Sequence, residues 1–150
     1  MGGMTSALYN RDLLRLATGL AAYPPLAVPD VLVERSARVC GSRVALSLRV
    51  GGAGEVTAAG IDARSCAIGQ ASAALLMQAV GYLGSAETAA RFAQIRHWLS
   101  GGPLPDQPGF ALLAPAIPHS ARHAALLLPW EAAVEALQQS ESRNEATASS

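Results

Sequence analysis

The spacing of apolar residues changes near Cys66 from every second position to a helical repeat, and this change most constrains the fold. Before that point, residues 43–50 alternate between apolar and polar or small side chains, which is typical of a strand with one buried face. After it, apolar residues recur at three- and four-residue intervals, which indicates helices. A run of strands followed by a run of helices predicts an α+β domain. We expect a small three-stranded antiparallel sheet followed by packed helices.

The glycine-rich segment at 51–54 (Gly-Gly-Ala-Gly) predicts a hairpin turn, because glycine supplies the positive φ angles that such turns need. It joins the strand at 43–50 to a return strand over 55–64. An earlier strand over 31–39 completes the predicted sheet.

Four helices are predicted around and after this sheet. Their expected ranges are 6–18, 69–82, 85–99 with Ser85 as the N-cap, and 118–138. Pro129 falls inside the last helix and is expected to kink or restart it. A loop rich in glycine and proline occupies 100–109. The polar residues 139–150 are expected to be a disordered tail, so the predicted domain spans 1–138.

The composition narrows the class of function. A chain of 150 residues fits a single domain. The sequence contains 11 basic and 11 acidic residues, and this balance argues against a nucleic-acid partner. It contains no lysine, which excludes Schiff-base chemistry and a P-loop lysine. It contains no apolar run of membrane-spanning length and no secretory signal, so we expect a cytoplasmic protein without a membrane partner.

The two cysteines are the first candidates for a functional site. Cys40 comes at the predicted turn between the first two strands, and Cys66 follows the third strand just before a helix. A helix N-terminus stabilises a thiolate, and both thiols are expected at the same end of the small sheet. The alternative is that each is a small buried apolar residue, and spacing alone favours that alternative.

The histidines add to this candidate site. His119 and His123 are four residues apart at the start of the last helix, so both can lie on one face. With two thiols they make a set suited to zinc or iron. For His119, a solvated first turn is the favoured alternative. For Asp62, a ligand, a neighbour of a ligand and an exposed strand residue all remain open, and the last is favoured.

Three stretches resemble a known family. Residues 39–44 (Val-Cys-Gly-Ser-Arg-Val), 65–72 (Ser-Cys-Ala-Ile-Gly-Gln-Ala-Ser) and 118–132 resemble, in order, the first-, second- and third-cysteine segments of the IscU/SufU/NifU N-terminal family. The resemblance extends over about 8–137 and implies the SufE/NifU-like fold. The insertion at 100–117 resembles the SufU type.

The chain departs from the family pattern at two positions. Ser42 stands where the family has Asp after Cys-Gly, and His123 stands where it has the third Cys. The ligands that the resemblance implies are therefore Cys40, Cys66 and His123. The fourth ligand stays open between Ser42, Asp62, His119 and an exogenous group.

The resemblance implies a non-enzymatic iron–sulfur cluster assembly scaffold or carrier. It would bind a nascent [2Fe–2S] cluster or iron transiently and transfer it to apo-proteins. One alternative is a zinc-dependent sulfurtransferase in which Cys40 or Cys66 accepts persulfide sulfur from a cysteine desulfurase. Another is a degenerate member that keeps the fold and binds no metal.

The implied partners are a cysteine desulfurase and apo-protein cluster acceptors. An Hsp70-type chaperone is not expected. Residues 114–118 (Ala-Pro-Ala-Ile-Pro) do not match the Leu-Pro-Pro-Val-Lys motif with which the short IscU type binds its chaperone.

Overall fold

The computed structural model of the protein describes residues 10–149, and the side chains of 10–143. Its sheet contains β1 (Val31–Ala37), β2 (Ser42–Val50) and β3 (Val56–Arg64) in the antiparallel order β1-β2-β3. The predicted α+β architecture with a three-stranded antiparallel sheet is confirmed.

Alternation along the strands decides which face of the sheet is buried. Val33, Leu46 and Ile61 are register partners across the three strands, and all three are at most 4 % exposed. Because side chains alternate between the faces of a sheet, the residues next to them in sequence point to the other face. One face of the sheet therefore contributes to the core.

The two turns of the sheet use glycine at positive φ. Gly54 (φ 85°) lies in the predicted hairpin turn, and Gly41 (φ 71°) lies between β1 and β2. The turn between β1 and β2 begins earlier than the sequence predicted, because the N–H of Gly41 donates to the carbonyl of Ala37 at 2.9 Å. β1 therefore ends at Ala37 rather than at 39.

The predicted helices are all present within the described residues, with shifted ends. They are α1 (Arg11–Thr18), α2 (Ala67–Ala79), α3 (Ser85–Leu99) and α4 (Ser120–Ser149), with 3-10 helices at Gly19–Ala22 and Phe110–Ala116. The part of the predicted first helix before residue 10 lies outside the described residues. The N-cap of α3 is Gly84 and not Ser85, because the N–H of Gly84 donates to the carboxylate of Glu87 at 2.5 Å.

The last helix differs most from the prediction. α4 runs through Pro129 without restarting and continues to Ser149, whereas the sequence pattern placed its end at about 138 and a disordered tail after it. Ser140 is only 3 % exposed, and Arg143 donates to the carbonyl of Asp30 at 2.8 Å. These tertiary contacts extend the helix beyond its apolar repeat. The limit of the domain at 138 stays a prediction.

The core lies between the buried sheet face and the helices. α2 is its centre, since ten of its thirteen residues are buried. The core also contains a cluster of three aromatic residues. The ring of Phe110 packs edge-to-face against that of Trp98, with 6.1 Å between ring centroids, and its centroid lies 5.9 Å from that of Trp130. Within the described residues, no helix is both long and apolar enough to cross a membrane.

Candidate functional site

The direction of α4 determines which of its residues lie near the turn that carries Cys40. Arg143, late in α4, contacts Asp30 just before β1. Glu131 and Glu135, nearer its middle, pair with Arg35 late in β1 at 3.5 and 3.3 Å. The helix therefore runs antiparallel to β1, and its first turns, with His123, reach past the end of β1 toward the turn.

The N-terminal half of α2 packs against the same turns of α4. The hydroxyl of Ser72 donates to the carbonyl of Leu126 at 2.5 Å. A Cβ on Gly69 would lie 3.3 Å from the carbonyl oxygen of Ala125. Small residues let the two helices approach closely here. The start of α2, with Cys66 as its N-cap, thus lies at the same end as His123.

Cys40 is linked to the third strand through two serine hydroxyls. Its thiol is partly exposed and donates to Ser42 Oγ at 3.1 Å. Ser42 is 3 % exposed, and its Oγ lies 2.9 Å from Ser65 Oγ. Ser65 directly precedes Cys66, so this chain of contacts joins the segments that carry the two cysteines. We call Cys40, Ser42 and Ser65 the hydroxyl link.

Gly69 provides the space in which the Ser65 side chain lies. A Cβ at Gly69 would be 1.9 Å from Ser65 Oγ, which is shorter than any non-bonded contact. Sequence reasoning assigned no role to Ser65 or Gly69. The available signal was a glycine four residues after a serine, in the first turn of α2, but that signal is weak without the fold.

Cys66 occupies a position where a side chain can face an uncapped helix end. Its backbone is extended (φ −67°, ψ 172°), and its side chain makes no capping hydrogen bond. The thiol is partly buried and packs against the core. The sequence prediction that Cys66 lies at a helix N-terminus is confirmed. Cys66 lies closer to the helix than predicted, because α2 begins at Ala67 and not at residue 69.

His123 is held by one ring nitrogen. Its Nε2 lies 2.8 Å from the carbonyl oxygen of Ile117. In the tautomer that carries its proton on Nε2, this contact is a hydrogen bond and Nδ1 keeps a free lone pair. A backbone carbonyl that orients the ring in this way is the usual arrangement behind a metal-ligating histidine. His119 is exposed, in agreement with the favoured alternative.

These donors do not form an assembled metal site. Within the described residues, no group of three or more His, Cys, Asp and Glu side chains could hold a metal ion. Ser42 is engaged in the hydroxyl link, and Asp62 is exposed and pairs with Arg64 at 3.7 Å. The structure thus brings the segments that carry the predicted ligands to one end of the sheet. The ligand set itself stays a prediction.

No family model matches this chain, and no curated protein matches it significantly. Solved structures do. One is a nitrogen-fixing NifU-like protein (N-terminal) from Brucella abortus, with a TM-score of 0.83 and 28 % identity over 93 % of this chain and 98 % of that one. Another is the iron–sulfur cluster assembly scaffold protein for the SUF system from Fervidobacterium islandicum AW-1.

The second structure has a TM-score of 0.77 and 17 % identity, and the match covers 88 % of this chain and 98 % of that one. At that identity it shows a shared fold, which is the NifU-like fold that the sequence predicted. The Brucella structure, at 28 % identity, agrees with the resemblance to the IscU/SufU/NifU family that the cysteine segments indicated.

Proposed function

We propose that this protein is an iron–sulfur cluster assembly scaffold or carrier. It binds a nascent [2Fe–2S] cluster or iron transiently and transfers it to apo-proteins. The observation that carries the proposal is the hydroxyl link, which joins the segments of Cys40 and Cys66 at one end of a fold shared with the NifU-like and SUF scaffold proteins.

Under this proposal the cluster is cargo, and Cys40, Cys66 and His123 are its protein ligands. Thiolates are the usual ligands of iron–sulfur clusters, and imidazole replaces them in some. His123 would use Nδ1, since the Ile117 carbonyl contacts Nε2. A set that is not preassembled holds cargo less tightly than a closed site, which suits a carrier that must release it. The fourth ligand stays open between Ser42, Asp62, His119 and an exogenous group.

Cluster retention by a Cys66→Ser variant tests this proposal. The protein is reconstituted anaerobically with iron and sulfide and then desalted. We expect the variant to lose the iron and sulfide that the wild-type protein retains, because a serine hydroxyl is a poor cluster ligand. Ser36→Ala, an exposed serine on β1, is the matched control and should retain both. Equal retention by Cys66→Ser and the wild type would contradict the proposal.

The second candidate is a sulfurtransferase that accepts sulfur from a cysteine desulfurase. It is favoured by the partly exposed thiol of Cys40 at a turn. The Cys40 thiolate would attack the outer sulfur of a persulfide on the desulfurase. A new S–S bond then forms on Cys40, the S–S bond of the donor breaks, and the donor cysteine leaves as a thiolate.

In this candidate a zinc ion would be held at the same site, by Cys40, Cys66 and His123, although the described residues do not assemble these side chains into a metal-binding group in the structure. The test is whether the purified protein stimulates a cysteine desulfurase, and whether Cys40→Ser or Cys66→Ser abolishes that stimulation. Absence of stimulation by the wild type would contradict this second candidate and would leave the scaffold proposal intact.

A further inference from the structure

We propose that a cavity at the end of the sheet opposite to Cys40 binds an alkylammonium group, carried by a free aliphatic amine or by a lysine side chain. The cavity lies between the turn that joins β2 to β3, the loop between α2 and α3, and α4 near residue 140. We call it the hairpin cavity. β2 has nine residues, so its two ends are about 27 Å apart at a rise of about 3.4 Å per residue. The hairpin cavity is therefore a second site, and it does not depend on the proposed function.

The charged side chains that line the hairpin cavity are all acidic. They are Glu55, on the turn between β2 and β3, and Glu141, on α4. Both are exposed, and neither forms an ion pair with any residue that the structure describes. A Cβ at Gly51 would overlap the Glu55 carboxylate, so this carboxylate lies over the turn, at the rim. With two carboxylates and no basic residue in its lining, the cavity favours a cation over an anion.

A buried hydroxyl in the same cavity has no partner. Ser140 is only 3 % exposed and lines the cavity next to Glu141. Its Oγ forms no hydrogen bond with the residues that the structure describes, and it is not among their fully enclosed polar atoms. What remains accessible of this hydroxyl therefore faces the cavity. A nearly buried hydroxyl without a partner costs free energy, and an ammonium N–H that donates to Oγ would remove this cost.

The rest of the lining suits the carbon chain of such a ligand better than a bare metal ion. Leu137 is buried and Leu83 is partly buried, and both provide apolar surface. Tyr82 is 70 % exposed, and its ring at the mouth can bind a cation on its face. A hard metal ion needs more oxygen ligands, and no group of three or more His, Cys, Asp and Glu side chains among the described residues could hold one. The volume, about 360 Å³, is typical of a small-molecule site.

The N-terminus of α3 borders the cavity but does not make it an anion site. A helix N-terminus attracts anions, and Gly84 and Ser85 line the cavity. The carboxylate of Glu87 already accepts a hydrogen bond from the N–H of Gly84 at 2.5 Å, so the protein itself supplies the negative charge there. An added anion would also face Glu55 and Glu141.

NMR titration of the ¹⁵N-labelled, cluster-free protein with n-butylammonium tests the proposal. We expect the amide signals of Leu83 and Ser140 to shift saturably. 1-Butanol and butyrate, which have the same chain length without the positive charge, should not produce this shift. Glu141→Gln should weaken binding at least about fivefold, and added salt should weaken it in the wild type. Glu34→Gln, the same change at an exposed glutamate on β1, should stay within about twofold.

Ser140→Ala separates a role in binding from a role in folding. Because the hydroxyl has no partner among the described residues, its removal should leave the free energy of unfolding unchanged or raise it. The same variant should bind n-butylammonium about threefold more weakly, because one hydrogen bond to the ligand is lost. A less stable variant with unchanged binding would contradict the role of this hydroxyl in the site.

Two further probes distinguish the sources of the ammonium group. Tighter binding of 1,4-diaminobutane than of Nα-acetyl-lysine methylamide indicates a free amine, and the reverse order indicates a lysine side chain of a protein; either order supports the site. Three results would overturn the proposal: no saturable shift in the wild type, equal binding of 1-butanol and n-butylammonium, or equal effects of Glu141→Gln and Glu34→Gln. Because the protein carries no cluster in these titrations, failure of the proposed function would leave their outcome unchanged.

Discussion

Ser42 Oγ lies 2.9 Å from Ser65 Oγ, and this contact ties the first residue of β2 to the residue that precedes Cys66. Ser42 Oγ also accepts a hydrogen bond from the Cys40 thiol. At this position the IscU/SufU/NifU family, which this chain resembles, has an aspartate that acts as a ligand. In this chain the hydroxyl instead holds two cysteine segments together, so its effect on stability can be measured without any metal.

Ser42→Ala removes both contacts of a hydroxyl that is 3 % exposed. It leaves the Cys40 thiol and the Ser65 hydroxyl without this partner. We expect the free energy of unfolding to fall by about 1–2 kcal/mol, measured by urea denaturation. Ser36→Ala on the exposed part of β1 should change it by less than about 0.5 kcal/mol. Equal effects of the two substitutions would contradict the structural role of Ser42.

Gly69→Ala tests the space that Ser65 occupies. The new Cβ would lie 1.9 Å from Ser65 Oγ and 3.3 Å from the carbonyl oxygen of Ala125. The serine must rotate away and lose its contact with Ser42. We expect a net destabilisation of about 1 kcal/mol or more, although alanine is the better helix former by a similar amount.

Gly19→Ala is the matched control for this glycine. Gly19 has an ordinary helical φ of −60°, and a Cβ there would meet nothing within 4 Å. That substitution should be neutral or slightly stabilising. A Gly69→Ala protein as stable as Gly19→Ala would show that the site tolerates a side chain and that Ser65 is not confined as we describe.

The stability of the protein should depend on pH through Asp30. The pKa of this carboxyl lies below its usual value of 3.8, first because the N–H of Val50 donates to it and then because Arg143 and Arg49 are nearby. A lowered pKa in the folded state favours folding above pH 3.8, and this contribution is lost as pH falls through the lowered value.

Asp30→Asn cannot lose a carboxylate on acidification. We therefore expect its urea midpoint to fall less steeply than that of the wild type as pH is lowered from 5 toward 2. The measurement is a series of urea titrations of both proteins across this range. Parallel pH profiles would show that the contacts of Asp30 do not contribute.

His123→Cys tests whether position 123 contacts the cargo. A thiolate binds iron in clusters more strongly than an imidazole does. We expect the variant to retain a reconstituted cluster longer against a chelator, followed by visible absorption. His97→Cys places the same thiol at an exposed position on α3, outside every proposed ligand set, and should leave the retention time unchanged. Identical times for both variants would place His123 outside the site.

The sheet and the order of the helices could be predicted because local pattern determines them. Alternation along 43–50 and the glycines at 51–54 fixed the hairpin, and the apolar repeat fixed α2 and α3. The extension of α4 was not predicted. It depends on contacts such as that between Arg143 and Asp30, 113 residues apart, which no local pattern contains.

The candidate site was predicted only in part for the same reason. The types and order of Cys40, Cys66 and His123 are visible in the sequence. The hydroxyl link is not, because Ser42 and Ser65 are 23 residues apart and meet only through the antiparallel register of β2 and β3. Gly69 leaves room for Ser65 in this contact, so its role could not be predicted from the sequence either.

Metal and sulfide content of the protein as isolated tests the central claim most directly. The protein is purified anaerobically from cells grown with added iron, and iron, acid-labile sulfide and zinc are measured together with the visible spectrum. The account predicts iron and sulfide in equal amounts with charge-transfer absorption. Stoichiometric zinc without sulfide would contradict the scaffold and favour sulfur transfer. Neither metal, even after reconstitution, would contradict both proposed functions and indicate a fold that has lost its cargo site.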